Sequence, residues 1–202
     1  MKSQLCVAAL LLIPVSVSLA SHQEKKPANA AAAKDDPAMA KMMELATPGP
    51  NHKVLDGKVG KWNSVVKWWM EPGSQPSTET GTSEMKWIMD GRFIEDTYTG
   101  TMMGGPFHGR GLTGFDNLKK KYVTTWIDTM GTAILHSEGT FDAATKTFTY
   151  MGESPDAMAG KYVKTRTVEK VVDADHWTMQ MYSPGPDGKE FMGMEISYTR
   201  AK

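Results

Sequence analysis

From residue 60 to the end of this chain, apolar residues recur at every second position in about ten short runs. This period is typical of a β-strand with one buried and one solvated face. Turn residues separate the runs, and Asp90-Gly91 and Asp187-Gly188 are the strongest hairpin signals. Many short, evenly spaced strands predict an all-β domain, a single antiparallel up-and-down barrel of about ten strands. The predicted strands are Lys61–Glu71, Thr80–Met89, Arg92–Thr99, Phe107–Phe115, Lys121–Asp128, Ala133–Phe141, Thr147–Glu153, Lys161–Val172, His176–Tyr182 and Glu190–Arg200.

Residues 1–20 carry the pattern of a secretory signal peptide. Lys2 supplies a positive start, Val7–Ile13 an apolar stretch, and Ser18-Leu19-Ala20 a cleavage site of small residues. An uncleaved membrane anchor is the alternative, but the apolar run is short for a membrane span and Pro14 interrupts it. We therefore expect export to the periplasm or the extracellular space, without stable membrane insertion.

Charge and cysteine content restrict the chemistry of the chain. It has 23 basic and 23 acidic side chains, and a balanced charge argues against nucleic-acid binding, which needs a basic face. Cys6 is the only cysteine and would be removed with the signal peptide. The mature chain would then lack thiol catalysis, cysteine-ligated zinc and iron–sulfur clusters.

The segment between the signal peptide and the strands divides into two parts. Residues 21–35 have no apolar period and predict a disordered linker. Asp36-Pro37 is typical of a helix start, and a methionine-rich stripe from Met39 to Leu45 follows at helical spacing. Residues 36–59 are therefore predicted to form short helices that act as a lid or plug, and residues 60–202 to form the barrel domain.

The two ends of the barrel domain carry residues that are expected to close it. Gly60-Lys61-Trp62 opens the first predicted strand, and Arg200 ends the last one. A guanidinium stacked on an indole face gains about 0.5–2 kcal/mol. This pairing resembles the lipocalin and calycin pattern, in which the Trp lies at the closed end and the Arg packs across it. The resemblance implies a calycin-like (lipocalin-like) barrel in which Gly60, Trp62 and Arg200 form the structural closure.

Several segments spread from about Leu45 to Arg200 carry a second resemblance. They are Ala46–Lys53, Gly91–Phe93, Met102–Phe107, Gly111–Asp116, Lys121–Asp128, Ser137–Thr140 and Gly185–Glu190. Together they resemble an uncharacterised family of bacterial, often exported, domains of unknown function with a calycin-like barrel. The resemblance implies the fold and export, and it implies no particular activity.

The last predicted hairpin assigns side chains to the two faces of the sheet. Its turn sets Met181 opposite Met194 and Met179 opposite Ile196. Simple alternation places Met192 on the same face. This face is apolar and the opposite one is polar, as an antiparallel sheet allows.

The apolar face supplies the candidate ligand-binding residues. Methionine and aromatic side chains suit an adaptable apolar site. A small barrel either encloses one ligand or fills with its own side chains, and both interpretations remain open. The predicted interior residues are Trp87, Asp96, Tyr98, Trp126, Asp128, His136, Met179, Met181, Met192 and Met194.

No catalytic residue, cofactor or metal site is predicted. Asp96, Asp128, His136 and Glu138 would suit acid–base chemistry if they converged at the barrel mouth, so an enzyme is one alternative. Cu(I) held by thioethers and haem held by one histidine are others. The five histidines are scattered, without metal-ligand spacing, and single out no site.

We expect an exported β-barrel that binds a small, largely apolar molecule in its interior. The alternatives are an enzyme or haem protein, and a filled barrel that acts as an interaction module at the cell envelope. The glycine-containing loop Thr101–Phe107 is either a flap at the barrel mouth or an ordinary strand connection whose apolar residues fold back onto the rim. The Met39–Leu45 stripe is the candidate interaction surface, and the oligomeric state is left open.

Overall fold

A computed structural model describes residues 36–202 of the chain. The predicted signal peptide (1–20) and linker (21–35) lie outside the described residues. Residues Lys41–Lys202 form one compact unit, and the contacts described below lie within it. Helix α1 spans Pro37–Ala46 and α2 spans Pro50–Lys53, and a 3-10 turn covers Val54–Lys58. The strands are β1 (Gly60–Trp68), β2 (Ser77–Ile88), β3 (Phe93–Met102), β4 (Gly105–Asp116), β5 (Lys121–Asp128), β6 (Leu135–Asp142), β7 (Thr147–Asp156), β8 (Lys161–Val171), β9 (His176–Pro184) and β10 (Glu190–Arg200).

The ten strands form one closed barrel in sequence order. Each strand pairs antiparallel with its neighbours, and β1 pairs with β10 through the register Trp62 opposite Arg200. Closure leaves no sheet edge unpaired, which removes the aggregation hazard of an open sheet. The predicted all-β, antiparallel up-and-down barrel is confirmed.

The structure defines two turns whose position or form the sequence does not fix. The β2–β3 turn is centred on Met89 and Asp90, which both have positive φ, rather than on Asp90-Gly91. Of the two interpretations of Thr101–Phe107, the structure has the strand connection: β3 and β4 continue to a two-residue turn at Met103-Gly104, again with positive φ. Positive φ at both central positions matches the twist of the flanking strands.

The densest packing lies at the barrel end where β1 begins, which we call the closed end. The α2 helix and the 3-10 turn pack into it: the Leu55 side chain is fully buried, and the Tyr122 hydroxyl donates to the Asn51 carbonyl at 3.0 Å. Trp87 also belongs to this end, because its Nε1 donates to the Asp56 carboxylate at 2.9 Å. The buried aromatic residues are Trp62, Tyr98, Phe107, Phe115, Tyr122, Phe148, Tyr150, Trp177 and Tyr198.

The opposite end, which we call the mouth, is formed by the β1–β2, β3–β4, β5–β6, β7–β8 and β9–β10 connections. A β-bulge lies near it in β10. Met194 pairs with Met181 and Met192 pairs with Tyr182, so Gly193 is an extra residue between them. Because one extra residue reverses the alternation, Met192 lies on the outer face with Tyr182. The predicted inward position of Met192 is therefore wrong, whereas Met179, Met181 and Met194 face inward.

Candidate functional site

Gly60, Trp62 and Arg200 meet at the closed end. The Arg200 guanidinium lies 4.1 Å from the centre of the Trp62 ring and donates to the carbonyls of Val59 and Gly57 at 3.0 and 3.2 Å. A Cβ at Gly60, whose φ is +135°, would lie 2.5 Å from Arg200 Nη1. This position therefore needs glycine for both its backbone conformation and its space.

A buried ion pair lies just inside this closure. Lys58 Nζ and Glu169 Oε2 are 2.6 Å apart, and each residue is only 5% exposed. The ammonium also lies 4.8 Å from the centre of the Trp177 ring. Sequence reasoning missed both residues: Lys58 lies in the 3-10 turn before the barrel, and 111 positions separate the two in sequence.

The inner wall from β4 to β8 carries a row of small residues. Paired positions bring together Thr113, Thr124, Ser137, Gly152 and Thr165, one from each strand. All five are partly exposed, although they face into a closed barrel. This side of the inner wall therefore carries small side chains on five successive strands, and Gly152 also lines the open groove outside the barrel.

Apolar side chains continue the inner wall on the next strands. Thr167, Met181, Met194 and Trp68 follow one another in register from β8 through β9 and β10 to β1. Met179 lies two residues nearer the closed end than Met181 on β9, opposite Ile196. Since methionine has three flexible torsions and a polarisable sulfur, this wall adapts to apolar shapes.

Asp96 is a carboxyl group that faces the interior and has a raised pKa. Burial raises its pKa to about 6, and the Glu169 charge acts in the same direction. A hydrogen bond from Ser83 and the Lys58 charge act in the opposite direction. Met85 on β2 and Gly111 on β4 flank Asp96 in register.

Two aromatic rings lie beside Asp96 over glycine positions. The Tyr98 ring covers Gly81, and its hydroxyl shares a 2.9 Å hydrogen bond with Ser64. Trp126 lies across the Gly109 position, and its Nε1 donates to Asp128 Oδ2 at 2.8 Å. Tyr98, Trp126 and Asp128 therefore all face the interior, and the two ring centres are 6.4 Å apart.

Three indole or hydroxyl groups of the inner wall are buried without a hydrogen-bond partner. They are Trp68 Nε1, Trp177 Nε1 and the Tyr150 hydroxyl, within the described part of the chain. Burial raises the pKa of Tyr150 well above its usual value, and the nearby Glu169 charge adds to the effect. Unpartnered buried polar groups are rare in native proteins and call for an explanation.

The predicted inward position of His136 is wrong. His136 is paired with Glu153 on the outer face, its side chain is 55% exposed, and Nε2 lies 3.5 Å from Glu138 Oε1. Glu138 also pairs with Lys119, whose hydrogen bond lowers the pKa of Glu138. Both residues line an open groove outside the barrel with Lys121, Met151 and other residues, so they do not converge with Asp96 and Asp128.

Within residues 36–202, no group of three or more His, Cys, Asp or Glu side chains is arranged to hold a metal ion. No helix in this part of the chain has the length and apolar character needed to cross a membrane. Helix α1, the candidate interaction surface, has no buried residue.

The family described as "Protein of unknown function (DUF1579)" matches residues 47–200. The chain belongs to this family. A solved structure of a redesigned β-barrel is 12% identical to this DUF1579 chain, with a TM-score of 0.37, and the match covers 75% of this chain and 95% of the other. None of the curated proteins matches the chain.

Proposed function

We propose that this DUF1579 protein is an exported barrel that binds a small, largely apolar molecule in its interior, on the mouth side. The observation that carries the proposal is the row of small, partly exposed residues from Thr113 to Thr165 on the inner wall. A barrel that only needed a filled core would place large side chains there, as it does at the closed end.

The chemistry beside this row supports an apolar ligand. Met181 and Met194 lie in register across from each other, and Met179 and Trp126 face the same interior. The closed end offers no passage to a ligand, because Leu55 and Trp62 fill it. Entry would therefore be through the mouth.

The same geometry favours binding over catalysis. His136 and Glu138 lie on the outer face, whereas Asp96 and Asp128 face inward. Acid–base catalysis needs at least two titratable groups within reach of one substrate. His136 and Glu138 therefore cannot act on the same interior substrate as Asp96 and Asp128.

Export is proposed from the signal-peptide pattern of residues 1–20. Purification from the periplasm or medium of a producing bacterium, followed by N-terminal sequencing, tests it. A mature chain that begins near Ser21 would support export; an intact N-terminus in the cytosolic fraction would contradict it.

Native and denaturing mass spectrometry of the purified full-length mature protein test ligand binding. A reproducible extra mass that is lost on denaturation is expected, and its value would nearly identify the ligand. Thr165→Phe, which fills the row of small residues, should reduce the extra mass. Lys164→Phe, the adjacent outward position, should not. Full retention of the extra mass by a folded Thr165→Phe variant would contradict the interior site.

A further inference from the structure

The charged residues of the barrel wall are distributed unequally between its two faces. Glu79, Asp96, Asp128 and Glu169 occupy inward positions of the described strands. Two cations occupy inward positions at strand ends, Arg200 at the closed end and Lys161 at the mouth, where it lies opposite Asp156 in register. The lysine and arginine side chains between the strand ends occupy outward positions. They are Lys61, Lys67, Lys86, Arg110, Lys164, Arg166 and Lys170.

One of these four inward carboxyl groups has a lysine partner. Lys58 reaches the interior from the 3-10 turn, and its Nζ lies 2.6 Å from Glu169 Oε2. Within the described residues, no Lys, Arg or His nitrogen lies within 4.0 Å of a carboxyl oxygen of Asp96, Asp128 or Glu79. Charges in a low-dielectric interior act strongly, so this excess of carboxyl groups favours a cation.

Neutral donors satisfy these three carboxyl groups only in part. Asp96 accepts from Ser83, Asp128 accepts from Trp126 Nε1 and the Met130 amide, and Glu79 accepts from a turn amide at 2.6 Å. An ionised carboxylate offers about four acceptor sites. Each of these groups therefore keeps acceptor capacity that no donor of the described residues uses.

A second, independent observation points to a ligand. The Tyr150 hydroxyl makes no hydrogen bond of good geometry within the described residues, although the Glu169 carboxylate is near enough to affect its pKa. Tyr150 is 1% exposed and lies two positions from Gly152 on the same face of β7. A phenol oxygen accepts a hydrogen bond from an ammonium group. The rings of Tyr98 and Trp126 supply π faces beside Asp96 and Asp128, and such faces attract cations within about 6 Å.

We propose that the molecule bound in the barrel is an organic cation, with an apolar body and a protonated amine. The amine pairs with Asp96 and lies near the Tyr98 and Trp126 rings, and the apolar body contacts Met181 and Met194. This inference rests on the proposed function, because it identifies the ligand class of the same interior site.

Three fluorescent probes with one shared apolar group test the ligand class: dansylcadaverine, which is cationic, N-pentyl dansylamide, which is neutral, and dansyl-6-aminohexanoate, which is anionic. Titration of the mature protein at pH 8, read by the blue shift of the dansyl emission, gives a dissociation constant for each. The cationic probe should bind at least about tenfold more tightly than the neutral one, and the anionic probe most weakly.

In the Asp96→Asn variant, the dissociation constant of the cationic probe should lie within about twofold of that of the neutral probe. The dissociation constant of the neutral probe should be the same as in the wild type. Glu95→Gln, on the outward position beside it, should keep the wild-type order. Equal binding of all three probes, or preference for the anion, would overturn the cation inference and leave the apolar site standing. Failure of all three to bind to the folded protein would overturn both.

Discussion

Replacing Asp96 with asparagine is expected to stabilise the protein at neutral and alkaline pH. Burial raises the pKa of Asp96 from 3.8 to about 6, so the folded state binds this proton more tightly than the unfolded chain. The group contributes stability that is fully present below pH 3.8 and is lost as the pH rises through about 6. One pKa unit corresponds to about 1.4 kcal/mol, so the ionised carboxylate costs about 3 kcal/mol above pH 6.

The charged and titratable groups that affect Asp96 come from four elements. Lys58 of the 3-10 turn favours its ionised form, whereas Glu169 of β8 opposes it. Tyr98 of β3 and Tyr198 of β10 are neutral at these pH values, since burial raises the pKa of each above its usual value. The expected difference in pH dependence between the Asp96→Asn variant and the wild type from pH 4 to 8 therefore belongs to Asp96.

Asparagine removes the charge and keeps a carbonyl oxygen that accepts from Ser83. The variant should match the wild type within about 1 kcal/mol at pH 4 and exceed it by about 3 kcal/mol at pH 8. Urea unfolding followed by tryptophan fluorescence measures both values, since the chain has six tryptophans.

Glu95→Gln is the matched control, because its carboxylate lies on the outward position and is 36% exposed. It should change stability by less than about 0.5 kcal/mol at either pH. An Asp96→Asn variant that gains nothing between pH 4 and pH 8 relative to the wild type would refute the argument that an uncompensated carboxylate lies inside the barrel.

Three further predictions test the packing. Gly60→Ala places a Cβ 2.5 Å from the guanidinium at the closed end. It should lower the free energy of unfolding, measured with urea, by at least about 2 kcal/mol. Gly57→Ala, with open space around its Cβ, is the control and should leave this free energy nearly unchanged. Lys58→Met leaves its buried carboxylate partner unpaired and should cost about 3–5 kcal/mol, measured in the same way. Met194→Lys should destabilise the protein by several kcal/mol and Met192→Lys by less than about 1 kcal/mol in thermal and urea unfolding; equal costs would show that the β-bulge does not reverse the faces.

Strand alternation was sufficient to predict the barrel and much of its inner wall. The Met181–Met194 and Met179–Ile196 pairs are those expected from the sequence, because one face of that hairpin is apolar and the other polar. The β6 strand shows the same contrast. Leu135, Gly139 and Phe141 lie on its inward face, whereas His136, Glu138 and Asp142 lie on the outward one. The two-residue period therefore indicated an outward His136, and the inward assignment of this residue did not follow it.

The amino-acid sequence by itself determined the number of strands and their approximate positions, because the two-residue period and turn chemistry are local properties. Only the tertiary structure decided which carboxyl groups remain uncompensated. Lys58 reaches Glu169 across 111 positions, and Gly193 shifts Met192 to the outer face. Both depend on how distant strands align around the closed barrel, and local sequence patterns carry no information about that alignment.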